Sequence, residues 1–150
     1  MIKAAVLWIV NEEHEILLAQ RVYHKAHDPG VWGAAAVGKL EPGESFDDAV
    51  VRETKEELGL TTADYTPQFL FEKNFSPPNG ELRKFGIYYA VLPKAKSRLI
   101  HIDANEVAGF AWFTLDTITE KMRQSPNELV PSANAVWPDI FQALKDAKVL

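Results

Sequence analysis

The sequence predicts an α/β domain in which helices cover both faces of a mixed β-sheet. Apolar runs of strand length alternate with segments of helical periodicity along the chain. The chain has 150 residues, which is typical of one domain, so we expect residues 1–150 to form a single domain. Hydrophobic residues make up 47% and aromatic residues 11%, which is enough to bury a core and excludes a disordered chain.

The first predicted elements are strands. Residues 4–10 form an apolar run, and a charged turn separates them from a partner strand at residues 15–20. Because charged residues follow the N-terminal run at once, we interpret it as a strand and not as a signal peptide. Small apolar residues at 33–38 predict a further short, buried strand.

The clearest predicted element is a helix at Phe46–Leu58. Ser45 is a favourable N-cap, and Gly59 is suited to the left-handed conformation that ends many helices. Beyond it the pattern predicts strands at 68–74, 85–92 and Val107–Phe113, and helices at 115–122 and 136–147.

Composition excludes several classes of function. There are 21 acidic against 16 basic residues, a net charge of −5, which disfavours general binding to nucleic acid. The chain has no cysteine, which excludes disulfides, thiolate zinc sites and cysteine nucleophiles and fits a cytoplasmic protein. No apolar run approaches the length of a membrane span, so we expect no membrane partner.

Three carboxylates share one face of the predicted helix. Glu53, Glu56 and Glu57 are spaced i, i+3, i+4, and they continue the apolar stripe of Phe46 and Ala49. A solvated acidic patch is one interpretation. The other is a site for Mg²⁺ or Mn²⁺, because inward-facing carboxylates need a compensating charge and hard cations prefer oxygen ligands. Such a metal bridges phosphate oxygens and activates water.

The segment around this helix resembles the Nudix box. Residues 38–60 read GKLEPGESFDDAVVRETKEELGL, against the family pattern of Gly, five residues, Glu, seven residues and R-E-U-x-E-E-x-G-U, where U is a bulky aliphatic residue. Every fixed residue is present, and the one departure is Thr54 at the first U position.

The resemblance implies the Nudix fold, an α/β/α sandwich in which the box forms a loop-helix-loop. It also implies hydrolysis of a diphosphate linkage in a nucleoside diphosphate joined to another moiety, with Mg²⁺ or Mn²⁺. By motif position, the metal site takes Glu53, Glu56 and Glu57 as ligands, Gly38 through its close-approaching backbone and, in some members, Glu44; Arg52 is a structural partner that clamps the loop through a box carboxylate.

The general base is left open by the sequence. Glu106 lies just before the Val107–Phe113 strand, where some relatives place a base on a late loop. Glu81, in a proline-rich loop, is a second option. For either residue the alternative is an exposed loop carboxylate without a catalytic role.

The segment upstream of the box resembles that of the subgroup containing isopentenyl diphosphate isomerase. The likeness rests on Gln20-Arg21, on Pro29-Gly30-x-Trp and on the six residues between Trp32 and Gly38. That isomerase uses a catalytic cysteine, which this chain lacks. An isomerase therefore stays an alternative to a hydrolase, and so does a non-catalytic module that binds a nucleotide.

Substrate contacts are predicted on weaker grounds. Arg21 ends the second strand and could reach a phosphate with help from Lys39, although a solvated cation is the alternative. Asn134 stands where related enzymes place a purine-reading asparagine, but it could equally be a helix cap or turn residue. Lys25, His24 and His27 are further candidates for phosphate, and Phe75, Tyr88, Trp112 and Trp137 for stacking on a base.

We therefore expect a small nucleotide or nucleotide-like diphosphate as the partner. A capped RNA end stays possible as a substrate in spite of the acidic charge. A homodimer is also possible, because nothing in the sequence decides the oligomeric state.

Overall fold

The computed structural model describes all residues, 1–150, and contains seven strands and three α-helices. The strands are β1 Ile2–Val10, β2 Ile16–Arg21, β3 Trp32–Gly33, β4 Ala36–Lys39, β5 Gln68–Phe75, β6 Arg83–Val91 and β7 Val107–Phe113; the α-helices are α1 Phe46–Leu58, α2 Leu115–Gln124 and α3 Ala133–Asp146; and short 3-10 helices lie at Lys94–Leu99 and Pro126–Glu128.

Strand β1 is the centre of a mixed sheet that forks. On one edge β1 pairs in parallel with β6 along its full length. On the other edge it pairs first with β4, from Ala4 to Leu7, and then with β2, at Ile9 and Val10. Because β2 and β4 share this edge, they diverge from one another. The chain can therefore enclose space between them, with β3 and β7 pairing on β2.

Helices cover both faces of the sheet, as predicted. Alternate residues of β1 point to opposite faces, so Leu7 packs into the core on the α1 side and Trp8 into the core on the α3 side. Ala49 and Val50 of α1 complete the first core, and Trp137 of α3 lies in the second. The predicted class, an α/β/α sandwich with a mixed sheet, is confirmed.

Helix α1 has the bounds that the sequence predicts. The Ser45 side chain accepts from Asp48 N, and Gly59 has a φ of 70°, which only glycine adopts at little cost. Thr54, the departure from the box pattern, is fully buried on the α1 stripe between Val50 and Leu58. Its hydroxyl donates to Val50 O (2.7 Å), so the polar group is satisfied within the helix.

Two predicted elements are wrong in detail. The single strand predicted at 33–38 is two strands, because β3 pairs with β2 while β4 pairs with β1 across the fork. The last helix begins three residues earlier than predicted, at Ala133, and contains Pro138. The buried Ala133 and Leu129 anchor this early start against the core. None of the helices has the length and apolar character that crossing a bilayer requires.

The contact between α1 and the sheet depends on a glycine. Phe46 is the first residue of α1, and a Cβ placed on Gly86 of β6 would lie 2.4 Å from its ring. Gly86→Ala should therefore lower the free energy of unfolding by about 1–3 kcal/mol in urea denaturation. Gly109→Ala is the matched control, since nothing lies within 4 Å of the added carbon. Equal stability of both variants would contradict this packing.

Candidate active site

Arg52 joins helix α1 to the loop before it. Its guanidinium donates to both oxygens of Glu44, Nε to Oε2 and Nη2 to Oε1, each at 2.8 Å. It also donates to Lys39 O (3.0 Å). This two-point pairing is the strongest geometry available to an arginine and a carboxylate. The pKa of Glu44 is lowered to about 2, chiefly by Arg52, so Glu44 is ionised at neutral pH.

Glu53 lies against the backbone of Gly38. A Cβ on Gly38 would stand 1.9 Å from the Glu53 Cδ, so any side chain at position 38 displaces this carboxylate. Arg52 Nη1 donates to Glu53 Oε1 (2.7 Å), and only 15% of the Glu53 side chain is exposed. Burial raises the pKa of Glu53, while Arg52 opposes the rise.

Glu57 is the most deeply placed carboxyl of the three. Its Oε2 accepts from the backbone N–H of Val37 on β4 (3.1 Å), at the fork of the sheet. The pKa of Glu57 is raised to about 8, chiefly by burial and also by the neighbouring charges of Glu53, Glu106 and Glu56, while the Val37 N–H opposes the rise. The protein therefore holds this carboxyl where it lacks a compensating positive charge.

The prediction that all three carboxylates face inward is wrong for Glu56. Its side chain is 57% exposed, and it contacts Arg52 Nη1 at 3.3 Å. The buried stripe of α1 runs through Val50, Thr54 and Leu58. Because Thr54 is the middle of this stripe, Glu53 and Glu57 lie beside it and face inward, whereas Glu56 lies on the solvent side. Arg52 is 23% exposed, and its guanidinium lies over the loop before the helix, where it pairs with Glu44.

The donor chemistry of this cluster fits a hard divalent cation. All the candidate ligands are carboxylate oxygens, the ligand type that hard cations prefer, and the charges of Glu53, Glu106 and Glu56 act on the half-buried Glu57. As the side chains stand, no three acidic or histidine residues converge in a ready-made ligand set. Glu53 and Glu56 are turned to Arg52 Nη1, each through one carboxylate oxygen.

A cavity of about 380 Å³ opens beside Glu57, between the sheet and α3. Glu106 lines it and pairs with Lys25 (2.8 Å), and its charge acts on Glu57. Arg21 also lines the cavity, and its Nε donates to His27 O (2.7 Å). The structure thus brings Glu57, Glu106 and Arg21 into the lining of one cavity, with Lys25 paired to Glu106.

Other predicted contacts lie elsewhere. Glu81 is outside the cavity lining and approaches the N-terminal amine of Met1 at 3.5 Å. His24, His27 and the Lys39 side chain are exposed and do not line the cavity. Asn134 is the second residue of α3, exposed and outside the lining; because Ser132 is the N-cap, the alternative that Asn134 caps the helix is wrong.

The predicted aromatic residues divide between the two faces of the sheet. Phe75 and Trp137 line the cavity, and Trp137 is also part of the core. Tyr88 lies on the α1 side and donates to Asp47, while Trp112 Nε1 donates to Ser97 Oγ (2.9 Å). Neither Tyr88 nor Trp112 reaches the cavity.

Sequence reasoning missed Trp8 and Arg83, which both line the cavity. The signal for Trp8 was strand alternation, since Ala4, Val6 and Trp8 share one face of β1. Arg83 carried no local signal, because its position at the cavity depends on the parallel pairing of β6 with β1.

An α/β sandwich that sets half-buried glutamates beside an open cleft is suited to phosphate chemistry with a metal ion. Residues 1–133 match the NUDIX domain, and the chain belongs to this family. The predicted recognition is therefore confirmed.

Curated relatives are isomerases at low identity. The chain is 28% identical over 148 residues to the isopentenyl-diphosphate Delta-isomerase of Pectobacterium atrosepticum, covering 95% of this chain and 80% of the relative. The same enzyme from Citrobacter koseri is 28% identical over 122 residues, covering 79% of this chain and 65% of the relative. The chain thus spans less than two thirds of the Citrobacter protein.

Solved structures share the fold. A Deinococcus radiodurans protein matches with a TM-score of 0.69 at 18% identity, over 83% of this chain and 74% of its own. A MutT NUDIX hydrolase from Burkholderia pseudomallei matches with a TM-score of 0.62 at 26% identity, over 77% of this chain and 84% of its own. An Ap4A hydrolase from C. elegans matches with a TM-score of 0.66 at 23% identity, over 85% of this chain and 90% of its own.

Glu57 should make the metal-free protein less stable as pH rises. The pKa of Glu57 in the folded protein is about 8, above the ordinary 4.5. Between pH 4.5 and pH 8 the folded state therefore binds more protons than the unfolded state, so the free energy of unfolding falls as pH rises through this range. In EDTA, Glu57→Gln should be more stable than the wild type by on the order of 2 kcal/mol near pH 7, and by much less near pH 4.

Urea unfolding across this pH range measures the effect. Glu120→Gln, an exposed carboxylate on α2, serves as the control and should follow the wild-type curve. A Glu57→Gln difference that does not change with pH would show that Glu57 titrates normally.

Proposed function

We propose that the chain is a hydrolase that uses Mg²⁺ or Mn²⁺ to cleave a diphosphate linkage in a nucleoside diphosphate joined to another moiety, and that residues 1–150 act as one domain. The observation that carries the proposal is the buried Glu57 carboxyl at the cavity mouth, with Glu53 and Glu106 close enough for their charges to raise its pKa. Family membership and the likeness to a MutT NUDIX hydrolase support it.

The proposed roles follow from what each side chain contacts. Glu53, Glu56 and Glu57 would hold the cation, with Glu44 ionised close by. The bound cation would neutralise phosphate charge and lower the pKa of water. Gly38 keeps room for the Glu53 carboxylate, and Arg52 fixes the loop through Glu44.

Arg21 is positioned to bind substrate phosphate. It lines the cavity beside Val31, its guanidinium pairs with no carboxylate, and a free guanidinium matches phosphate oxygens with two donors. Lys39 and Asn134 were proposed for the same purpose, but both side chains lie outside the cavity lining. They would reach only a part of the substrate that extends beyond the mouth.

Glu106 is the proposed general base. It lies on the loop before β7, at the cavity mouth, and Lys25 orients its carboxylate. A carboxylate on a different element from the cation ligands can accept a proton from water without giving up a ligand position.

A second candidate is a prenyl diphosphate isomerase, since the curated relatives carry that name. The absence of cysteine counts against it, because the isomerase family uses a catalytic cysteine. A module that binds a nucleotide without turnover is a third. The box carboxylates are all present, which favours turnover.

A turnover screen tests the proposal. With Mg²⁺ and then Mn²⁺, the panel contains nucleoside triphosphates, ADP-ribose, dinucleoside polyphosphates and prenyl diphosphates. Hydrolysis should need metal, and Glu57→Gln should lower kcat by at least about 100-fold because it removes a proposed ligand. Glu56→Gln should lower the rate similarly, and the exposed Glu120→Gln should leave it unchanged.

Product analysis separates the other candidates. An isomerised prenyl diphosphate formed without phosphate release would establish the isomerase. Binding of a nucleotide without turnover on any member of the panel would establish the binding module. Either result would overturn the proposed hydrolase.

Glu106→Gln tests the proposed base separately from the metal site. The variant should lower kcat about 100-fold and leave KM and metal affinity close to wild type, because the amide cannot accept the proton. Steady-state kinetics with a Mg²⁺ titration measures both quantities. An unchanged kcat, or a loss that excess Mg²⁺ restores, would remove Glu106 from the role of base.

A further inference from the structure

One arginine lines the cavity without a partner of opposite charge. Arg83 is the first residue of β6 and is half-buried at the end of the cavity that the loop between β5 and β6 forms. Glu81, two residues before it, approaches the Met1 amine at 3.5 Å. Glu72 on β5 pairs with Lys84 at 3.7 Å. The Arg83 guanidinium forms no ion pair within the protein, so its donors are available to a ligand.

Strand alternation places Arg83 on the cavity side of the sheet. Phe85 and Ile87 belong to the core on the α3 side, whereas Gly86 between them faces Phe46 of α1. Arg83 has the same parity as Phe85 and Ile87, so its side chain leaves the sheet on the α3 side, where the cavity lies. The alternative role for such a residue is to cover apolar surface with its aliphatic stem, and this role would not need the charge.

Asn79 offers a second donor at the same end of the cavity. It lies on the loop between β5 and β6, is exposed and lines the cavity. The carboxylates of the lining come from other elements: Asp28 from the loop after β2, Glu57 from α1 and Glu106 from the loop before β7. The end formed by Arg83 and Asn79 therefore combines a positive charge with an amide donor, which favours an anion.

This end is distant from the glutamates of the candidate site. Glu57 accepts from the N–H of Val37, which pairs with Val6 of β1. Val6 pairs in turn with Ile87 of β6, four residues beyond Arg83. The Cα atoms of Val37 and Arg83 are therefore about 16 Å apart. A diphosphate at Glu57 is shorter than this, even with the reach of the arginine side chain included, so Arg83 is placed for a second anionic group.

We infer that Arg83, assisted by Asn79, binds a phosphate monoester that the substrate carries in addition to the diphosphate that is cleaved. This deepens the proposed function and rests on it for the position of that diphosphate at Glu57. A guanidinium matches two phosphate oxygens at once, which leaves the third oxygen of a monoester to the Asn79 amide. The preferred substrates are accordingly nucleotides with an extra phosphate on a ribose or on the linked moiety. The apolar lining between the two ends, which includes Phe85, accommodates the uncharged part.

Two pairs of compounds test this inference, because the members of each pair differ only in one phosphate monoester. They are coenzyme A with dephospho-coenzyme A, and NADP⁺ with NAD⁺. Binding is measured calorimetrically with Ca²⁺ in place of Mg²⁺, and chromatography checks that the probes stay intact. In at least one pair the wild type should bind the phosphorylated member about tenfold or more tightly than its counterpart, since hydrogen bonds to charged groups contribute on that order.

Substitutions separate the charge of Arg83 from its packing. Arg83→Met keeps an apolar stem and removes the charge, so it should abolish the preference and leave the member without the monoester within about twofold of wild type. Arg83→Lys should retain part of the preference, because it keeps the charge and loses the planar fork. Arg123→Met is the matched control, since Arg123 is an exposed arginine of α2 outside the cavity lining and its loss should change neither member.

Equal affinity within both pairs, or no measurable binding of any probe, would overturn the inference. An equal loss of both members in Arg83→Met would also overturn it, because that result is expected if Arg83 only packs or binds the diphosphate itself. The wild-type protein gives an independent measurement by ¹⁵N-edited NMR. The Arg83 Nε–H resonance, assigned by its absence from the Arg83→Lys spectrum, should shift with the phosphorylated member and not with its counterpart; equal shifts would contradict the assignment of this end to the monoester.

The two proposals can fail separately. Selective binding through Arg83 without hydrolysis of any compound would overturn the proposed function and retain the inference. Metal-dependent hydrolysis with no preference for the phosphorylated members would do the reverse.

Discussion

The bidentate pair of Arg52 and Glu44 is the interaction on which the candidate site depends. It joins the second turn of α1 to the loop that precedes the helix, and the same guanidinium reaches Lys39 O at the end of β4. Loop, helix and strand are therefore held in one arrangement by a single side chain. Because Arg52 also donates to Glu53, it sets the orientation of a carboxylate that burial alone would disfavour. Its compact network offsets part of the repulsion among the box glutamates.

Glu57 shows the opposite balance. Its main contact with a donor is the N–H of Val37, while burial and three neighbouring carboxylates raise its pKa. A carboxyl group placed at such a cost to stability is typical of a functional site. There a rigid frame holds the group in an unfavourable environment, and a bound ligand compensates its charge. The frame here is the fork of the sheet: β4 supplies the N–H of Val37 and the bare backbone of Gly38, and both contacts need β4 to be paired to β1.

The sequence predicts helix α1 to the residue because its signals are local: Ser45 and Gly59 cap it, and its periodicity lies within thirteen residues. The outward turn of Glu56 escaped prediction because the polar Thr54 was left out of the buried stripe that it in fact centres. The division of 33–38 into two strands depends on which distant strand each half pairs with. The cavity depends further on β1 and β6 lying in parallel register, a contact across some eighty positions that no local pattern encodes.

Strand β1 connects the two halves of the site. Its residues alternate between the faces, so Ala5 and Leu7 support α1 and its carboxylates, while Val6 and Trp8 form the cavity on the α3 side. The glutamates of α1 and the interior of the cavity thus rest on opposite faces of one strand and meet at the fork beside Val37. A substitution on the α3 face can change what the cavity accepts without touching the core that positions Glu57. The box residues of α1 and most of the cavity lining can therefore vary independently of one another within this one fold.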